Sequence, residues 1–489
     1  MSLSKVTFTK GQGGVGAPLP GEDFISGHAH YKNPTVTYRL TFSATLVASN
    51  SIALTITGSN GLNVTHNIVF TTDDATTLTA IATYLQGLLA GKFIAITTGV
   101  HYVQVTMNLN QSVTIGAVVT LGASQPTAAW ATAAQITFTD KQRFTSIYDA
   151  INYGITSANT ATASIYYFID RFFKRQPSGI FYLWIGTDPA AGAGTNDFTE
   201  LVTLQTWAAG KCRQMTAFLP VAFTQAMVTA LQGVYDSLSA GNQPALLGLG
   251  ADTSAITDHT TFLDNTTLDA EGVEVIIGQD GKNAGAALAV SLGHSVPAIG
   301  QWLGSYAFLK VSQNIGWRSY SIADPDGEMS APALGDGTLI STIASNTLSD
   351  IQAKAYVFAL NEIGLTGTFW SDDPTCTSAT SDYNCGERVR TIDKAIRNVR
   401  ASILPLLNGQ VPVDPTSGKL ASTFISELTA IAQAPLDQMQ RDGELSGAIV
   451  TIDPNQDVNA TSTIAITIKL VSIGISRTFN VTIGFVSSL

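Results

Sequence analysis

The chain has 489 residues with 25 Lys and Arg against 36 Asp and Glu, a formal net charge of −11, and 12% charged against 45% apolar residues. That length supports two to four domains with real cores, and the apolar content excludes a disordered polyelectrolyte. The acidic balance argues against a broad nucleic-acid surface, which needs a positive field. A mean hydropathy of +0.20 reflects missing charges. No run of 18 apolar residues is present to cross a bilayer. The first residues, Met1-Ser2-Leu3-Ser4-Lys5, lack the apolar stretch of a signal peptide. Cys212, Cys376 and Cys385 are odd in number and form no CxxC. They specify neither a disulfide framework nor a zinc knuckle; Cys376 and Cys385 could pair across a loop, but free thiols are the preferred reading.

In chain order, residues 1–31 begin with Val6 and Phe8 alternating with Lys5, Thr7 and Thr9, followed by Gly11, Gly13, Gly14, Gly16, Pro18 and Pro20. This pattern predicts a short strand and a hinge. The Gly/Pro tract leaves no local hairpin partner, so the strand is expected to pair far away or on another chain. Residues 33–137 carry only Arg39, Asp73, Asp74 and Lys92 as charges. Period-2 faces run through Ile52, Leu54 and Ile56, through Val103, Val105, Met107 and Leu109, and through Val113, Ile115, Ala117, Val119 and Leu121. One helix, capped at Thr72 or Asp73, presents Leu78, Ile81, Leu85 and Leu88. The segment reads as an inserted β-rich module with one helix.

Residues 138–385 alternate between strand and helix. Apolar runs at 180–185, 215–219, 245–249 and 273–277 suit buried strands, and Met227, Leu231, Val234 and Leu238 mark a helix between the second and third. Further helical stretches are expected at 284–311 and 347–363. The alternation predicts an α/β layer with a largely parallel sheet. In residues 386–489, Val389, Ile392, Ile396, Val399 and Ile403 form a helical stripe, with Arg388, Arg390, Lys394, Arg397 and Arg400 expected on the remaining surface. A helix at 422–439 follows, then two alternating strands, Ile464, Ile466, Ile468, Leu470 and Phe479, Val481, Ile483, Phe485. The fold class is α/β in a multidomain α+β arrangement.

Motifs that carry chemistry are weak. Gly278-Gln279-Asp280-Gly281-Lys282-Asn283 lacks the four-residue gap and the Ser/Thr of a phosphate loop. Gly293-His294-Ser295-Val296-Pro297 replaces the second glycine of a nucleophile elbow with proline. Asp324-Pro325-Asp326-Gly327-Glu328 has a proline where a calcium loop alternates ligands and reads as an acidic turn. His28 and His30 share a strand face with no third His nearby. These residues specify no catalytic, metal or cofactor site. The five cations of residues 388–400 either face solvent or dock an acidic protein.

Three stretches together resemble the contractile-tail sheath family of contractile phages and related injection machines. They are Lys5-Val6-Thr7-Phe8 through Gly16-Ala17-Pro18-Leu19-Pro20-Gly21-Glu22-Asp23; Asn361-Glu362-Ile363-Gly364-Leu365-Thr366-Gly367-Thr368-Phe369 through Arg388-Val389-Arg390-Thr391-Ile392-Asp393-Lys394-Ala395; and Pro435-Leu436-Asp437 through the last two strands. The likeness runs in order over residues 1–31 and 138–489. The 33–137 module departs from it and is read as an added outer domain.

The resemblance implies a sheath-type α/β core whose terminal strands, around Val6 and Phe8 and around Phe479, Val481, Ile483 and Phe485, are lent to neighbouring subunits. It implies a structural protein without enzymatic activity or cofactor. Stacked hexameric rings of this homo-oligomer would surround an inner tail tube protein, meet the baseplate and tail terminator, and contract to drive the tube through a target envelope. Neither nucleic acid nor membrane insertion is implied. The particle would be a phage virion tail or an injection machine assembled in a bacterial cytoplasm. Arg390, Lys394 and Arg397, spaced by four and three on one helical face, are the expected contacts with an acidic tube, with the 422–439 helix as the competing surface. The alternatives are a surface adhesin or receptor-binding virion protein and, less favoured, an α/β enzyme.

Overall fold

The computed structural model describes residues 23–32, 35–58, 62–89, 95–108, 113–132, 141–158, 162–187 and 197–485. The expected Val6/Phe8 strand and its Gly/Pro hinge lie outside the described residues. The chain divides into two compact units, one of residues 1–31, 140–185 and 194–489, the other of residues 32–139 with 186–193.

From β1 (Ile25–Lys32) the chain passes into the smaller unit. There β2 (Thr35–Phe42), β3 (Ser51–Gly58), β4 (Leu62–Val69), α1 (Asp74–Leu88), β5 (Ala95–Gly99), β6 (Tyr102–Asn108), β7 (Val113–Thr120) and β8 (Ala128–Thr132) follow in order. They form antiparallel sheets in the orders β5-β6-β2-β8 and β4-β3-β7. Strict alternation puts Ile52, Leu54, Ile56, Val103, Val105, Ile115 and Val119 into one core with Leu78, Ile81 and Leu85 of α1. Each fully buried side chain of this kind stabilises the unit by about 1.5–3 kcal/mol. The Asp73 carboxylate caps α1 by accepting the Thr76 N–H at 2.7 Å.

The larger unit continues through β9 (Lys141–Phe144), α2 (Ile147–Asn152), α3 (Ala163–Arg175), β10 (Ile180–Thr187), α4 (Glu200–Trp207), β11 (Gln214–Ala222), α5 (Gln225–Ala240), β12 (Leu246–Asp252), β13 (Val273–Ile276) and β14 (Gln279–Asp280). Next come α6 (Ala284–Leu292), α7 (Ile299–Phe308), β15 (Pro332–Ala333), α8 (Ser345–Ala353), β16 (Tyr356–Val357), β17 (Ala359–Leu360) and β18 (Phe369–Trp370). Seven strands make one sheet in the order β16-β13-β12-β11-β1-β10-β9. β1, β11, β12, β13 and β16 run parallel, and β9 is antiparallel to β10. Two helical expectations need correction. The 284–311 stretch breaks after Gly293, whose φ of 73° caps α6, and the 347–363 stretch ends at Ala353, short strands taking its second half.

α7 lies close to α3 because two glycines one turn apart face it. A Cβ on Gly300 would stand 2.2 Å from the Phe168 carbonyl oxygen, and one on Gly304 would stand 2.5 Å from the Arg175 Cβ. The C-terminal part contains α9 (Gly386–Ile403), α10 (Ser422–Arg441), β19 (Leu445–Ile452), α11 (Val458–Thr461) and β20 (Ile466–Ser472). α10 packs Ala432, Leu436 and Met439 against Ala395 and Val399 of α9 and against Leu445, Val450 and Ile468 of the antiparallel β19–β20 hairpin.

Candidate functional site

The basic helix α9 differs from its sequence reading. Arg390, Lys394 and Arg397 are 2%, 8% and 5% exposed. They cannot face an external tube from this conformation. The reason is enclosure on several sides: α9 packs on α10 along one flank while its cations reach groups of α7, the loop before β12, and the chain before β1. One Arg390 Nη donates to the Tyr306 carbonyl at 2.7 Å, with the guanidinium 4.8 Å from the Tyr306 ring centroid. Lys394 Nζ donates to Asp23 at 2.6 Å and Glu444 at 2.5 Å, and Arg397 donates to the Pro244 carbonyl at 3.1 Å.

Desolvation dominates the electrostatics of this network. Burial pushes the Arg390 guanidinium down, and burial together with the nearby Arg213 charge brings Arg397 to about 9. Burial acts to raise Asp23, but Lys394, Arg390 and Arg397 outweigh it and hold that carboxyl below its usual value. Glu444 is raised, because its burial exceeds the effect of Lys394.

A second cluster lies at the N-terminal end of α9. The carboxylates of Asp372, Asp373 and Glu387 converge on Arg477: Nε donates to Asp372 at 2.7 Å, and one Nη donates to Asp373 at 3.1 Å and Glu387 at 3.2 Å. Asp373 also accepts the Glu387 N–H at 3.0 Å, and Asn314 donates to Asp372 at 2.6 Å. Negative charge is favoured at a helix N-terminus. Burial and the neighbouring Glu387 nevertheless push the Asp373 carboxyl well above its ordinary value. Sequence reasoning missed this cluster, although Arg477 is the only charged side chain between Lys469 and Leu489.

Beyond Arg477 the expected last strand is not formed among the described residues. Residues 473–485 enter no ladder, and Phe479, Val481, Ile483 and Phe485 are 84%, 75%, 91% and 109% exposed. Their period-2 pattern meets no partner strand among the described residues.

The remaining motifs have internal partners. Glu328 accepts the N–H groups of Ala284 and Gly285 at 3.0 and 2.7 Å, so a side-chain carboxylate occupies the start of α6 where a phosphate would have to bind. Asp324 and Asp326 of the acidic turn pair with Arg171 at 2.9 and 3.0 Å. Ser295 donates from Oγ to Asp252 at 2.9 Å, while His294 Nδ1 lies 2.8 Å from the Ser295 carbonyl oxygen. His28 and His30 do share a face of β1, with Nε2 and Nδ1 3.3 Å apart. His28 Nδ1 is 2.9 Å from the Thr216 hydroxyl, and Phe168 lies against both rings. Among the described residues, no group of three or more His, Cys, Asp or Glu is placed to hold a metal, and no helix is long and apolar enough to cross a membrane. Cys212, Cys376 and Cys385 are free and buried.

Fold and clusters define a multidomain α+β protein whose C-terminal part combines a buried charge network with an exposed terminal segment. Residues 382–489, from just before α9 to the end, match the family model described as DUF2586, C-terminal domain. No curated protein matches the chain.

Proposed function

We propose that this chain is a contractile-tail sheath subunit that polymerises as stacked helical rings around an inner tube. The observation that carries the reading is the terminal segment. Four apolar side chains alternate along residues 479–485, all exposed and outside any ladder. An exposed apolar strand without a partner is a template for pairing with another chain. The β19–β20 hairpin is a two-stranded sheet; Gln433 and Gln440 of α10 bond the Val450 N–H and the Ala448 and Ser446 carbonyls along the outer edge of β19, so among the described residues the edge left for another chain is that of β20. Edge addition supplies main-chain hydrogen bonds between subunits while alternate side chains enter pockets. Contacts of this head-to-tail kind need not close and therefore build helical arrays.

Contraction would then be relaxation of an extended lattice, held behind a kinetic barrier, into one with larger interfaces, driven by stored conformational energy. With Arg390, Lys394 and Arg397 enclosed and Arg388 and Arg400 only partly exposed, the tube contact passes to the solvent face of α10. The smaller unit would project as an outer domain.

Negative-stain microscopy of the full chain, with and without a tube protein, tests the reading. Tubes or rings are expected, and a variant lacking residues 478–489, which keeps Arg477, should stay monomeric and folded. A full chain that stays monodisperse at high concentration with tube present overturns the proposal. The adhesin reading draws on the smaller unit, where Thr55, Thr57, Asn63, Thr65, Asn67 and Thr114 make an exposed, uncharged face on β3, β4 and β7. Glycan binding by a chain that never assembles would favour it.

A further inference from the structure

We propose that Asp372, Asp373 and Glu387 form a docking site for the Arg477 guanidinium, pinning the root of the C-terminal segment to its own subunit and leaving only residues 478–485 free to pair elsewhere. The second half of this statement rests on the sheath reading; the docking site does not.

The site is built from groups that need a cation. Asp373 and Glu387 are buried and Asp372 is largely so; Arg477 reaches Glu387 through Oε1, and among the described residues the buried Oε2 has no hydrogen-bond partner. Glu274, also buried, does not compete for the cation: burial raises it to about 8, and its oxygens accept the Trp302 indole N–H at 2.8 Å and the Tyr306 hydroxyl at 2.5 Å. Three converging carboxylates without a counter-charge would repel one another in a poorly solvated site. The planar fork of Arg477 meets all three through Nε and a single Nη, a geometry that a lysine ammonium cannot reproduce.

The position of the pin follows from its neighbours. β20 ends at Ser472, Ile473 and Ile475 are half-buried, and every residue from 478 to 485 is exposed. A pull on the free segment therefore reaches the body of the subunit at Arg477. From there it passes through Asp373 to the Glu387 N–H at the start of α9, and through Asp372 to Asn314. Arg477 acts as a positioning residue between the exposed terminal segment and a helix that belongs to the folded core.

Two measurements on the unassembled full chain test the docking site. Trypsin should cleave slowly after Arg477 in the wild type and about tenfold faster in Asp372→Asn, read as release of residues 478–489, because the guanidinium must leave its carboxylates to enter the protease. In Arg477→Gln, amides of residues 386–389 should exchange faster, with Arg477→Lys intermediate. Equal cleavage rates together with unchanged exchange overturn the docking site; either change alone supports it. If Arg477→Gln does not fold, Asp372→Asn supplies the exchange measurement as well. Assembly is scored separately. Docking-defective variants that build tubes as well as wild type overturn the pinning role, and a wild type that never assembles while both docking effects appear refutes the sheath reading and leaves the site standing.

Discussion

Lys394→Met isolates the buried charge network. Lys394 bridges Asp23, which precedes β1, and Glu444, which precedes β19, at 2.6 and 2.5 Å, and its side chain is 10% exposed. Methionine keeps most of the aliphatic stem, so the lost packing is small. The substitution leaves two carboxylates facing each other without a cation. Removing one partner of a buried pair costs about 3–5 kcal/mol, and because Asp23 retains some solvent contact the lower end, about 3 kcal/mol, is expected. For a unit of this size that lowers Tm by on the order of 5 °C. The deficit should depend on pH. Glu444 is already raised by burial, and loss of Lys394 raises it further. A carboxyl whose folded pKa exceeds its unfolded value binds more protons when folded, so stability is lost as pH rises through that folded value and recovered as pH falls. Thermal melts followed by tryptophan fluorescence should show a smaller gap between variant and wild type at pH 5 than at pH 8. Lys394→Met combined with Glu444→Gln should restore most of the loss. A variant as stable as wild type at pH 8, or a gap that widens on acidification, refutes the argument.

Other expectations concern the core of the larger unit. Burial pushes His28 down to about 3. The unfolded chain therefore takes up a proton between pH 6.5 and 3 that the folded chain refuses, and stability falls with pH across that window by up to about 1.4 kcal/mol per unit. Urea midpoints of His28→Gln should fall less steeply from pH 7 to 4.5, and an unchanged slope counts against it. Gly300→Ala should cost at least about 1–3 kcal/mol by forcing α7 off α3, measurable as a lower urea midpoint. Gly233→Ala in α5, where a Cβ meets nothing within 4 Å, should raise that midpoint by about 0.5–1 kcal/mol in stability. Equal effects from the two glycines would contradict the packing described.

Local periodicity determined a good deal about this protein. The alternation of Ile52, Leu54 and Ile56, the helical spacing of Leu78, Ile81 and Leu85, and the apolar runs that became β10, β11, β12 and β13 each depend on neighbours within a few residues, so they are legible in the chain alone. β1 was not legible as an interior strand of the seven-stranded sheet, because its partner β11 begins almost two hundred residues later, across the smaller unit. Arg390, Lys394 and Arg397 of α9 were misjudged for a related reason. A charged side chain on an amphipathic helix reads as solvated because burying it alone is costly, yet Lys394 finds its carboxylates 371 residues before it and 50 after it. The last apolar segment shows the opposite case: its side-chain pattern is written locally, but a strand exists only where another strand's backbone meets it, and only the tertiary structure decides that none of the described residues supplies one.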